Sequence, residues 1–333
     1  MSDVPVGPEV TDDPVQAARA LRAGRLVAFP TETVYGLGAL ARRPEAVARI
    51  FAVKGRPPDH PLIVHLAAAD DLGRWASTVP PVAAALAEAL WPGPLTLLVP
   101  RGEAVPDVVT GGRPTVGLRV PDHPVALAVL AAVGDGVAAP SANRYGRVSP
   151  TTAAHVVADL GADVDLVLDG GACAVGVEST IVDCTQDVPV VLRPGGVTLD
   201  QLAAVLGHPV ATWAGDGAPR APGMHAAHYA PTARLVVVDA TDDVAAAVAA
   251  LGPASVGVLA PVAVPGLGDD VVELEPVGPP ERFAHLLYDR LRQADRLGLD
   301  ALVVVAPPPV GVGAAVVDRL ARAARGSGPP PTG

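Results

Sequence analysis

The stretch Phe29-Pro30-Thr31-Glu32-Thr33-Val34-Tyr35-Gly36-Leu37-Gly38 sets three polar side chains directly after an apolar run and two glycines shortly after them. Residues 26–29 suit a buried strand, and Pro30, lacking an N–H, ends its ladder. Thr31, Glu32 and Thr33 are therefore predicted to project at a strand's carboxyl end, where open α/β sheets bind ligands. Gly36 and Gly38 read as a tight turn or a close backbone approach.

Other reactive side chains fall on other element ends. Lys54 closes a predicted helix over 44–54, and Arg56 follows in its loop. His65 lies near the end of an apolar strand over 62–66, and Arg119 inside one over 115–120. Ser141 and Asn143 follow residues 137–139, Ser179 belongs to a strand over 177–182, and Arg193 to one over 190–195. Only a folded sheet could gather these groups. Cations and hydroxyls around one cleft suit a ligand with several anionic oxygens, above all a nucleoside polyphosphate. Each group also has a plainer reading: Lys54 as complement to a helix dipole, His65 as a core histidine, Ser141 and Asn143 as turn residues. Arg119 and Arg193 are harder to dismiss, because a buried guanidinium without a counter-charge is costly. No Ser-His-Asp set sits on a nucleophile elbow and no cysteine on a plausible loop, so covalent catalysis is unsupported. His225 and His228 have metal-like spacing but no third ligand, and no protein metal site is expected.

Composition narrows the class. The chain has 333 residues, enough for two domains, and 50% are hydrophobic but only 3% aromatic, so Ala, Val and Leu must build the core. A formal net charge of −11 disfavours general nucleic-acid binding without excluding a local basic cleft. Cys173 and Cys184 are far apart, as expected of free thiols in a reducing compartment. The first residues do not pattern as a signal peptide, and no apolar run is long enough to span a bilayer; a cytoplasmic protein without a membrane role is the expectation.

Helices are predicted over 81–90, 124–133 and 199–206, the last opened by a Thr198/Gln201 capping box, with further strands over 95–99 and 164–168. Residues 212–232 then become rich in Gly, Ala, Pro and His without apolar period. Beyond them strands over 234–238, 255–259, 271–274 and 301–305 alternate with helices over 242–251, 281–297 and 314–324, a small parallel α/β pattern without a phosphate-binding fingerprint. The expected organisation is a catalytic domain at 1–208, a linker at 209–232 acting as a lid, and a smaller domain at 233–333 with a disordered tail.

The ordered motifs Phe29 to Gly38, Lys54-Gly55-Arg56-Pro57 with Pro61-Leu62-Ile63-Val64-His65, Trp91-Pro92-Gly93-Pro94-Leu95-Thr96, Gly117-Leu118-Arg119-Val120-Pro121, Pro140-Ser141-Ala142-Asn143, Glu178-Ser179-Thr180-Ile181-Val182-Asp183 and Leu192-Arg193-Pro194-Gly195 resemble those of the YrdC-like L-threonylcarbamoyladenylate synthases. Ala221-Pro222-Gly223-Met224 with His228-Tyr229-Ala230-Pro231 is similar to the longer, two-domain branch. The resemblance implies an α/β fold: a YrdC-like twisted mixed sheet with helices forming a ligand cleft, plus a smaller Rossmann-like domain. It implies a nucleotidyltransferase that condenses L-threonine, bicarbonate and ATP, accompanied by Mg²⁺, into threonylcarbamoyl-AMP and pyrophosphate. A downstream threonylcarbamoyl transferase complex acting on tRNA would receive the product, with a weak RNA contact as a further partner. By position, Thr33, His65, Arg119 and Ser179 fall where the family holds threonine. Arg56, His60, Thr115, Ser141, Ser149, Arg193 and Tyr229 fall where it holds ATP, and Lys54 and Asn143 are added here as neighbours of the phosphates. Lys54 and Arg56 are the expected catalytic cations. His60 departs from the asparagine common there. Rival readings are an RNA-binding module, disfavoured by the acidic charge, and carbamoyl transfer from a carbamoyl-adenylate, disfavoured by the absence of the acylphosphatase-like and zinc-finger regions of hydrogenase maturation proteins.

Overall fold

Short Val- and Leu-rich runs punctuated by Pro and Gly become strands throughout the chain, and they sort into two sheets. The computed structural model describes residues 7–213, 221–223, 227–240, 242–252 and 254–328. Two compact units result. One comprises Met1–Tyr145, Ser149–Ala174 and Glu178–Met224; the other comprises Gly146–Val148, Val175–Val177 and His225–Gly333.

In the first unit, β1 (Glu9–Thr11), β2 (Val27–Phe29), β3 (Gly36–Leu40), β4 (Ile63–His65), β5 (Leu95–Pro100), β6 (Thr115–Arg119), β7 (Val137–Ala138), β8 (Leu166–Leu168), β9 (Thr180–Asp183), β10 (Val190–Arg193) and β11 (Ala211–Thr212) form a mixed 11-stranded sheet. Their order is β1-β8-β2-β3-β7-β4-β6-β5-β9-β10-β11. Successive residues along a strand face opposite sides. Thus Ala28 and Val167 enter one core cluster, while Val27, Phe29, Leu166 and Leu168 enter another with the helices Pro14–Arg22 and Pro124–Val133. Helix Pro44–Lys54 turns Ala46, Val47, Ile50, Phe51 and Lys54 inward and stops at Gly55, whose φ of 64° is costly for a residue with a Cβ. That stop aims Lys54 and Arg56 at the sheet instead of continuing the helix.

Several expectations needed correction. Gly36 and Gly38 do not turn the chain; they belong to β3, antiparallel to β2. A Cβ on Gly38 would stand 2.8 Å from Phe29 Cε1 and 2.9 Å from Val137 Cγ1, so glycine is required there by side-chain crowding. The strand expected over 177–182 begins only at Thr180, because the preceding carbonyl of Ser179 accepts from the Arg193 guanidinium instead of a ladder neighbour. Helices Pro14–Arg22 and Ala153–Leu160 were not foreseen. Their capping residues Asp13 and Thr152 were the available signals.

Within the expected linker, Ala211–Thr212 pairs parallel to β10, and Pro222 accepts from Arg193 at 3.0 Å. Residues 214–220 and 224–226, among them Met224 and His225, lie outside those described. In the second unit, β12 (Arg234–Val238), β13 (Val256–Leu259), β14 (Val272–Glu273) and β15 (Ala301–Val305) form an all-parallel sheet ordered β12-β15-β13-β14. Helices Val244–Ala249, Pro280–Arg296 and Gly313–Gly326 complete it. Among the described residues, no helix is long and apolar enough to cross a membrane.

Candidate active site

The end of β2 releases the chain at Pro30, and the next three side chains fold into a buried knot. Thr31 Oγ1 lies 2.8 Å from Thr33 Oγ1 and donates to the Val34 carbonyl at 2.7 Å. The same oxygen accepts from the backbone N–H groups of Thr33 and Val34 at 3.2 Å each. This local turn fixes Thr33 toward β6. Arg119, the last residue of β6, donates from Nη1 to Thr33 Oγ1 at 3.0 Å and from Nε to the Gly93 carbonyl at 3.3 Å. Arg119 Nη2 stands 2.7 Å from Glu32 Oε2, near enough to be an ion pair but not aligned as a hydrogen bond. Both side chains are buried, at 4% and 6% exposure, so each supplies the counter-charge the other needs.

His65 sits in register with Arg119 across the parallel β4–β6 pair, edge-on to Phe29 with ring centroids 5.9 Å apart. Burial, with the Arg119 charge as a second cause, pushes its pKa down to about 3. His65 is therefore a neutral imidazole at physiological pH. Next in the sheet, Ser179 Oγ lies 2.8 Å from Thr96 Oγ1, and Arg193 donates to the Ser179 carbonyl from Nε at 3.1 Å and from Nη2 at 2.9 Å. Nη2 also reaches Ser179 Oγ at 3.0 Å. Gly195 makes this approach possible, because a Cβ there would fall 2.3 Å from both the Ser179 carbonyl carbon and the Thr180 nitrogen.

A second group gathers around the loop after β7. Lys54, the chain's sole lysine, donates from Nζ to the Ser141 carbonyl at 2.6 Å and to the Asn143 carbonyl. Burial, then the Arg56 charge, lowers its pKa well below 10.5. Arg56 donates to the Pro61 carbonyl at 3.0 Å and places its guanidinium 6.0 Å from the centre of the Tyr145 ring. His60 lies on the other contact of that ring, 5.6 Å between centroids. Two buried cations side by side repel each other, and an anionic ligand would relieve that repulsion.

Thr33, His65 and Arg119 thus come together, as do Ser179 with Arg193, and Lys54 with Arg56, His60 and the backbone of Ser141 and Asn143. Ser149 donates to Glu178 Oε1 at 2.7 Å, in the segment that leads to Ser179. Thr115 opens β6, at the far end of the strand from Arg119. Tyr229 belongs to the second unit, where it is buried at a φ of 62°, stacks on Tyr288 at 5.7 Å and lies beneath Arg319 at 5.3 Å. Burial pushes the thiols of Cys173 and Cys184 up to about 12, which leaves both protonated and poor nucleophiles.

Residues 19–195 match the family described as telomere recombination, Sua5_yciO_yrdC, and residues 197–325 match the threonylcarbamoyl-AMP synthase C-terminal domain. The chain belongs to the two-domain threonylcarbamoyl-AMP synthase family. The threonylcarbamoyl-AMP synthase of Pyrococcus abyssi is 43% identical over 92% of each chain. That of Bacillus subtilis is 42% identical over 95% of this chain and 94% of its own. The structure of P. abyssi Sua5 complexed with L-threonine superposes with a TM-score of 0.85 at 41% identity, covering 95% of this chain and 96% of that one. The α/β architecture with a mixed sheet and a separate parallel sheet is that of these synthases.

Sequence reasoning missed the two carboxylates of the site. Glu32 was visible beside Thr31 and Thr33 but had no assigned partner. Glu178 directly precedes Ser179. The available signal was physical: a buried strand arginine needs a counter-charge, and Glu32 and Glu178 are acids within the motifs.

Proposed function

We propose that the first unit joins L-threonine, bicarbonate and ATP into threonylcarbamoyl-AMP and pyrophosphate. The observation that carries the reading is that one unit holds both the Arg119–Thr33–His65 group and, at the end of helix Pro44–Lys54, the Lys54–Arg56 group. The first suits an amino acid carboxylate and hydroxyl, the second a polyphosphate. Arg119 brings a buried guanidinium to the end of β6 for the carboxylate, and His65, being neutral, adds no competing charge. That the P. abyssi relative is solved with L-threonine bound supports threonine as the amino acid.

In the chemistry, a carbamate oxygen of N-carboxythreonine attacks the α-phosphorus of ATP. One O–P bond forms as the bond to pyrophosphate breaks. The carbamate is already an anionic nucleophile, so the protein's contribution is alignment and charge neutralisation rather than a nucleophile of its own. Lys54 and Arg56 offset charge on the departing pyrophosphate, with Lys54 also holding the 141–143 loop through its carbonyls. Arg193, Ser141, Asn143, Ser149, Thr115 and His60 complete the nucleotide's surroundings. Mg²⁺ enters as part of the ATP substrate and shields its phosphates; among the described residues no group of three or more His, Cys, Asp or Glu side chains is placed to hold an ion. The product then passes, in the cytoplasm, to a transferase complex that modifies tRNA, with RNA contact limited to a local patch.

Incubating the protein with ATP, L-threonine and ¹⁴C-bicarbonate tests the reading. Labelled threonylcarbamoyl-AMP appearing with stoichiometric pyrophosphate is expected. ATP cleavage that is independent of threonine, or a labelled adduct lacking threonine, would overturn it and favour carbamoyl-adenylate chemistry.

A further inference from the structure

Glu32 is a charge the reaction as described does not use. It is 5% exposed, yet neither carboxylate oxygen accepts an aligned hydrogen bond. Its neighbours are committed elsewhere: Thr31 is bonded to Val34 and Thr33, and Thr33 receives the Nη1 donor of Arg119. Leaving a buried carboxylate without donors is strongly unfavourable, and native proteins leave such groups so mainly where something else is to bind. The Arg119 guanidinium 2.7 Å away balances its charge without using its lone pairs.

We propose that Glu32 receives the α-ammonium of the amino acid substrate, so that Glu32 and Arg119 together form a paired subsite for the zwitterion. The proposal rests on the reading of the Arg119 group as the threonine site. An amino acid brings one anion and one cation about a single carbon, and the site offers one of each at matching separation. Arg119 Nη2 takes the carboxylate and Glu32 the ammonium. Four charges then alternate in sign, and the Glu32 oxygens gain a hydrogen-bond donor. The chemical consequence is selectivity for a free α-amine. The nitrogen that must become the carbamate is held by a hydrogen-bond acceptor, in a fixed place, before bicarbonate reacts. A hydroxy acid or an N-acylated amino acid would leave Glu32 buried without a hydrogen-bond donor.

Calorimetric titration of the full chain with L-threonine and with 3-hydroxybutyrate, which is threonine without its ammonium group, tests the inference. The unaltered protein should prefer threonine by about ten- to a hundredfold, the range for one charge-assisted hydrogen bond. Glu32→Gln should weaken threonine binding by a similar factor while 3-hydroxybutyrate binds as well as before or better, since a like charge near its carboxylate has been removed. If Glu32 serves only to hold Arg119 in place, both ligands weaken together and the preference survives, which overturns the proposal. Unaltered protein that binds neither ligand overturns the threonine-site reading itself, a different outcome. Should Glu32→Gln fail to fold, as judged by tryptophan fluorescence, the unaltered protein still decides: equal affinity for threonine and 3-hydroxybutyrate ends the proposal.

Discussion

His65 offers the sharpest physical test of the site, because its burial converts acidity into lost stability. In the unfolded chain the imidazole titrates near 6.5; in the folded chain it titrates at about 3. The sign follows. Between those values the unfolded state binds a proton that the folded state refuses, so stability is intact above about 6.5 and falls as the pH is lowered toward about 3. Going from pH 7 to pH 4, this one group should remove about 3 kcal/mol, at about 1.4 kcal/mol per pH unit over the window. His65→Gln cannot take up the proton and should lose correspondingly less. The assay is urea unfolding followed by tryptophan fluorescence, which reports on the first unit alone because Trp75, Trp91 and Trp213 all lie in it. The urea midpoint of the unaltered protein should fall steeply between pH 7 and pH 4, and that of His65→Gln should fall less, the difference between the two drops corresponding to about 3 kcal/mol. Equal acid sensitivity of the two proteins would refute the claim that a dry, Arg119-facing pocket keeps His65 neutral.

Arg119→Lys keeps a charge beside Glu32 but loses the fork that meets Thr33 and Gly93, and should raise the threonine KM while leaving the ATP KM unchanged; the reverse pattern would reassign this arginine. Ser141→Ala leaves its carbonyl contact with Lys54 intact and removes only the hydroxyl, so ATP affinity measured by calorimetry should drop by about one to two powers of ten if that hydroxyl meets a phosphate. Because Lys54 is the sole lysine, its side-chain NMR resonance can be followed alone; it should titrate below 10.5 in the free protein and move upward when ATP is added, whereas a downward move would place the phosphates elsewhere. Gly195→Ala must displace the backbone of Ser179 and Thr180, and should lower both the urea midpoint and synthesis of the adenylate; a functional, stable variant would show that the Ser179–Arg193 contact is dispensable.

How much of this was legible in the sequence depended on the distance over which each cause acts. The helices Pro44–Lys54, Pro81–Leu90, Pro124–Val133 and Leu199–Leu206 stand where their local signals put them, since an opening proline or capping box acts within one turn, as does the glycine that closes each of them but Pro81–Leu90, which stops at Trp91 ahead of Pro92. Gly36 and Gly38 were misread for the opposite reason. Their local signal suggests a turn, but what fixes glycine at residue 38 is Phe29 on the neighbouring strand and Val137, a hundred residues away in sequence. The same limit explains the site. The motifs named Arg119, Ser179 and Arg193 correctly as polar groups that needed explaining, yet no spacing rule pairs Arg119 with Glu32 or Arg193 with the carbonyl of Ser179. Those pairings arise because the segment leaving β2 reaches the end of β6, with three strands between the two in the sheet, and β10 folds back against the start of β9. Charge neutrality nevertheless constrained the answer before any fold was known. A strand arginine buried to 4% exposure obliges some carboxylate or ring of carbonyls to be within reach, and in this chain one arginine received each solution. Arg193 is fixed by donating to the carbonyls of Ser179 and Pro222 and to the Ser179 hydroxyl. Arg119, neutralised by Glu32, is instead half of a dipolar pair, and a dipolar pair discriminates a zwitterion from a simple anion, which is the distinction an amino acid site must make.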